Sequence, residues 1–131
     1  MNIRAFTLVE LVIVIVIVGI LSLVAVPIYR GYTRKSMTTE GKAIIKNIEN
    51  SERAFYAEYY RYYSVGETSY DNTLDVDLRT NKYFTVFKVD ITDKGYSAKT
   101  FGSSAASGIS LTLTQNERTE KSTLTVNGLN E

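Results

Sequence analysis

The chain has no cysteine, no histidine and no tryptophan, and a single proline among 131 residues. Without cysteine there can be no disulfide, no thiolate metal site and no covalent haem attachment. Without histidine the commonest general base and metal ligand near neutral pH is missing. Charge of one sign is also lacking: 15 basic residues face 14 acidic ones, a formal net charge of +1. No strong field marks nucleic acid as a partner. Neither a phosphate-binding glycine loop nor a catalytic pair or triad is present, so no catalytic residue, cofactor or metal is expected. Asp71, Asp75 and Asp77, and again Asp90 and Asp93, fit no standard calcium loop and read as solvated turns.

The chain does contain one long apolar run. Leu11 to Ile28, LVIVIVIVGILSLVAVPI, is eighteen residues without a charge. About 20 such residues in a helix cross a hydrocarbon core. Valine and isoleucine favour strands in water, but in lipid a lone segment satisfies its backbone only as a helix. Gly19 and Pro27 are its weak points, because proline lacks an N–H and clashes with the carbonyl of Leu23. The run could serve as a cleaved secretory signal, a plain anchor, or an anchor that is also an assembly interface. Leu23-Val24-Ala25 is a poor cleavage box.

Glu10 favours the third reading. It stands three residues after Thr7, the spacing of a capping box, and directly before the apolar run. A carboxylate at the edge of lipid needs a cation at similar depth. Arg4 and the Met1 amine are the local options. An α-amine freed just before Phe6 could instead meet Glu10 of a neighbouring copy, which would make the chain a homopolymer.

The helical pattern continues beyond the apolar run. Ile44, Ile48, Phe55, Tyr59 and Tyr62 form a stripe, with Ile45 and Ala54 beside it, while Glu49, Glu52, Arg53, Glu58 and Arg61 are expected in solvent. One helix from Phe6 to about Tyr62 is predicted. Residues 64–82 read as a loop anchored by Leu74, Val76 and Leu78. Alternation then predicts four strands: Tyr83–Ile91, Tyr96–Phe101, Ile109–Gln115 and Ser122–Val126. Short turns between them indicate an antiparallel meander. The fold class is α+β: a long N-terminal helix, transmembrane in its first half, packs by its second half on a small antiparallel sheet. Tyr59 and Tyr62 are expected against that sheet, with the other helix-end tyrosines on the surface.

The stretch Ala5 to Ser36, AFTLVELVIVIVIVGIL…AVPIYRGYTRKS, resembles the class III signal peptide and N-terminal helix of type IV pilins and of type II secretion pseudopilins. The resemblance implies a leader of residues 1–5, cleaved between Ala5 and Phe6 by a prepilin peptidase that methylates the new Phe6 amine. The family usually has glycine where this chain has Ala5. Thr7, Leu8 and Val9 match the residues before the family glutamate, and Glu10 matches that glutamate, which serves assembly together with Phe6. Gly19 and Pro27 match its helix-breaking residues, and Tyr29 the aromatic after the proline. Residues 6–33 would be the membrane and assembly helix, and residues 34–131 the globular domain.

The implied partners are further copies of the chain, the peptidase, a pilus or secretion assembly platform, and inner-membrane lipid before assembly. The implied location is a surface filament, with a single-pass membrane form preceding it. A major pseudopilin of a secretion system and a non-polymerising tethered binding module are the alternatives. The flanking charges point the other way on topology. Arg30, Arg34 and Lys35 follow the span, and taken alone they favour an inside C-terminus; the resemblance places the domain outside.

Overall fold

The computed structural model describes residues 5–129; Arg4 and the Met1 amine lie outside the described residues. The chain divides into two compact units after Thr33. Helix α1, Leu8–Tyr59, contributes to both, and it ends three residues before the expected boundary at Tyr62.

In the first unit the helix is apolar all round and exposed all round. It includes an 18-residue window long and apolar enough to cross a membrane, none of it buried. Pro27 lies inside the helix. The hydroxyls of Ser22 and Thr33 donate back to the carbonyls of Val18 and Tyr29, at 2.7 and 2.9 Å. Each thereby satisfies its own polar group without leaving the helix.

In the second unit the helix becomes amphipathic, and seven strands follow. They are β1 (Val65–Thr68), β2 (Tyr70–Asp71), β3 (Val76–Asp77), β4 (Phe84–Thr92), β5 (Gly95–Gly102), β6 (Ser110–Asn116) and β7 (Lys121–Asn127). A five-stranded antiparallel sheet has the order β1-β4-β5-β6-β7, and β2 and β3 form a separate hairpin. The four predicted strands correspond to β4–β7 with ends shifted by one residue or so. The predicted loop at 64–82 instead contains β1, which pairs with β4, and the β2–β3 hairpin. Its anchors Leu74, Val76 and Leu78 are all buried. The segment GSSAASG holds a 3₁₀ turn, Ser104–Ala106.

Register explains the core. Val89, Ala98 and Leu113 lie opposite one another across β4, β5 and β6, and all three are buried; so are Phe87, Thr100 and Leu111 in the neighbouring row. Ile44, Ile45 and Ile48 of α1 belong to the same apolar cluster. At Gly41 helix and sheet approach closely: a Cβ there would stand 2.6 Å from Leu111 Cδ1 and 3.1 Å from Phe84 Cζ. The turn into β5 also depends on a glycine. Gly95 has φ +142°, and a Cβ there would collide with the carbonyl of Gln115.

Three expectations about the helix are corrected. Glu49 and Glu52 are buried, not in solvent. They follow Ile45 and Ile48 by one turn, which places them on the core face. Their environments differ. Glu49 bonds Lys46 at 2.9 Å, Arg53 at 2.7 Å and the Ser122 hydroxyl at 2.9 Å. Glu52 receives the Tyr63 N–H alone. Tyr59 is 52% exposed and stacks on Phe55 at 4.5 Å instead of packing on the sheet. Tyr62, past the helix end, does pack there, 4.8 Å from the ring of Tyr96.

Candidate assembly site

The start of α1 is built by two side chains that serve each other's backbone. Thr7 precedes the first helical residue, and its hydroxyl accepts the Glu10 N–H at 3.2 Å. In return one carboxylate oxygen of Glu10 accepts the Thr7 N–H at 2.9 Å and the Thr7 hydroxyl at 2.8 Å. This is a capping box, and it satisfies donors that a helix start leaves unpaired. Within one copy no cation among the described residues pairs with Glu10. The carboxylate is exposed, as are Ala5 and Phe6 before it.

Phe6 is 88% exposed, and the apolar side chains from Leu8 to Ile28 are exposed with it. Water would not tolerate such a surface, so it must be covered by lipid or protein. Gly19 has nothing within 4 Å of where a Cβ would stand. It and Pro27 both lie within α1.

Comparison with known proteins decides what this arrangement is similar to. Residues 1–26 match the model of the prokaryotic N-terminal methylation motif. The N-terminal segment is similar to those of type IV major pilins. The type IV major pilin protein PilA of Myxococcus xanthus is 37% identical over 59 residues, 45% of this chain and 27% of its own length. The type IV major pilin protein PilE1 of Neisseria gonorrhoeae is 44% identical over 57 residues, 44% of this chain and 32% of its own. The fimbrial protein EcpC of Eikenella corrodens is 39% identical over 57 residues, 44% of this chain and 35% of its own. The chain thus spans about a third of the length of the curated relatives it matches. No solved structure matches it.

The second unit has its own polar anchors, which the sequence pattern did not reveal. Glu40 accepts the N–H groups of Tyr83 and Phe84, at 2.8 and 2.9 Å, and so fixes the start of β4 to the helix. Arg34 donates to the carbonyl of Gly128 at 3.0 Å and to that of Ser107 at 3.5 Å. One guanidinium thus joins the helix to the turn before β6 and to the segment after β7. These partners lie 43 to 94 residues away in sequence, so no local spacing signals them.

Proposed function

We propose that this chain is a structural subunit of a type IV pilus-like filament, polymerising through its N-terminal helix. The observation that carries this reading is a methylation motif on a capped, wholly exposed apolar helix. Before assembly the helix spans the inner membrane once. A prepilin peptidase cuts between Ala5 and Phe6 and methylates the new amine. An assembly platform then moves the subunit from lipid into a bundle of like helices at the filament centre, with the sheet-bearing units outside. The names of the relatives, major pilins and fimbrial proteins, favour a pilin over a secretion pseudopilin. The role is mechanical, and no catalytic step is assigned.

Glu10 has a second part to play in this scheme. Its carboxylate neutralises the Phe6 amine of a neighbouring copy, where two opposite charges must enter an apolar bundle together. Growth without closure requires two different patches in each contact, so the interface is heterologous.

Gly19 and Pro27 bound the stretch that is cheapest to unwind, because proline removes the bond to Leu23 and glycine lowers helix propensity. In the filament this stretch is partly extended, shielded by neighbouring helices. Continuous α-helical density from Gly19 to Pro27 in a filament map would refute that part.

Mass spectrometry of sheared cell-surface material tests the whole reading. A chain that begins at methylated Phe6 and fractionates with filaments is the expected result. An intact N-terminus at Met1, confined to the membrane fraction, would overturn it in favour of a tethered module.

A further inference from the structure

The part of α1 in the sheet-bearing unit carries different character on its two flanks. Lys35, Lys42, Lys46 and Arg53 recur at helical spacing along one flank, all exposed. Lys46 and Arg53 are both bonded to Glu49, which also holds Ser122 of β7. Lys35 and Lys42 make no ion pair among the described residues. Along the other flank run Ala43, Asn47, Ser51, Ala54 and Glu58, neutral apart from the one carboxylate at its end and without a basic residue. Lys42 and Glu58 are sixteen residues apart. That separation is about 160° around the axis and about 24 Å along it.

This second flank ends in a groove. A cavity of about 450 Å³ opens between the last turns of α1 and the loop joining β2 to β3, and no basic side chain lines it. Phe55 and Tyr59, stacked at 4.5 Å, form an aromatic wall, and Glu58 and Asp75 supply two carboxylates. Aromatic faces and carboxylates together suit an ammonium group on an apolar stem.

We propose that this groove is a docking site for Lys42 of a second copy of the chain. The proposal rests on the filament reading above. Copies inserted in one membrane have parallel helices. A twofold contact between parallel copies would set the basic flank against itself. A contact of the basic flank on the groove-bearing flank is attractive, leaves one free flank of each kind, and repeats without closing. The small residues of the groove-bearing flank let the neighbour's helix approach, and the lysine enters the groove with an axial stagger of about 24 Å.

The absence of cysteine makes the test direct. The full-length double variant K42C/E58C is expressed in filament-bearing cells and treated with a short bismaleimide, whose span suits the Cα separation of a lysine–carboxylate contact. Residues 42 and 58 of one chain lie about 24 Å apart along the helix, so the short reagent cannot bridge them within a chain. A ladder of dimers and larger multimers on a reducing gel is expected, with K42C alone and E58C alone lacking the ladder. A double variant that assembles but stays monomeric on the gel would overturn the proposal. The charge swap provides an independent check: K42E and E58K should each lower shear-resistant filament yield, and K42E/E58K should restore it. No rescue in the double swap would likewise count against the pairing. If the wild type made no filaments at all, the filament reading would fall, and the same cross-link read in the membrane fraction would still decide the contact.

Discussion

The buried carboxylate of Glu52 accepts the backbone N–H of Tyr63 at 3.0 Å and thereby ties the chain leaving α1 back to the helix. Its other oxygen has no hydrogen-bond partner, and neither does the hydroxyl of buried Tyr96. Burial, aided by the charge of Asp71, raises the Glu52 pKa from 4.5 to about 7. The native state therefore holds a proton that the unfolded chain has released between those values. Stability is greatest below about pH 4.5 on this account and declines as pH rises through 7. The difference corresponds to about 3 kcal/mol. Thermal melts of the full chain in detergent should show Tm falling from pH 5 to pH 8. Glu52→Gln should flatten that slope and raise Tm at pH 8; an unchanged slope would refute the assignment.

Arg34 performs, without covalent chemistry, the fastening of the chain after β7 to the helix. Arg34→Ala removes both carbonyl contacts and should lower stability by about 1–2 kcal/mol. The loss should be local, with faster hydrogen exchange and proteolysis in residues 121–129 and little change in β4 and β5. Arg34→Lys keeps the charge but not the planar fork, and should recover only part of the protection.

Gly41 and Gly31 should respond differently to alanine. Helix propensity alone favours alanine at both by about 1 kcal/mol. At Gly41 the methyl meets the fully buried Leu111 and Phe84, and overpacking there costs about 1–3 kcal/mol. G41A should therefore destabilise the sheet-bearing unit by about 1 kcal/mol. G31A, where the space is open, should leave its melting unchanged. Calorimetry of both variants distinguishes crowding from propensity.

Thr7 and Glu10 share one cap but not one role. Thr7→Ala removes the hydroxyl and should cost about 1 kcal/mol of fraying in the first turn. On the filament reading proposed above, Glu10→Ala also removes the carboxylate that meets a neighbour's amine, and an unmatched buried charge costs about 3–5 kcal/mol at each added subunit. Filament yield should thus collapse in E10A and stay close to wild type in T7A, with the melting of the sheet-bearing unit unchanged in both. Equal yields would reduce Glu10 to a cap.

The parts of this fold that repeat at short range were legible in the sequence. Alternation gave β4 to β7 because each strand has one buried face, and Leu74, Val76 and Leu78 stood out as the apolar points of a polar stretch. The Thr7–Glu10 box was readable because capping geometry fixes a spacing of three. Misreadings arose where residue type and angular position disagree. Glu49 and Glu52 read as solvent residues by their charge, although one helical turn from Ile45 and Ile48 puts them inside. Tyr59 keeps the spacing of the stripe, but it is the last residue of α1 and its ring stacks on Phe55 while staying exposed. The strand β1 and the anchors Arg34 and Glu40 depend on partners far along the chain, and no local pattern records such pairings.

The Arg34–Gly128 bond spans 94 residues, which gives the domain a timetable. At about 5–20 residues per second of synthesis, the carbonyl that Arg34 awaits arrives about 5–20 s after Arg34 itself. Throughout that interval Ile44, Ile45 and Ile48 have an incomplete sheet to cover them. A newly made subunit is therefore most vulnerable to proteases and chaperones while the latter half of its own sheet is still being made.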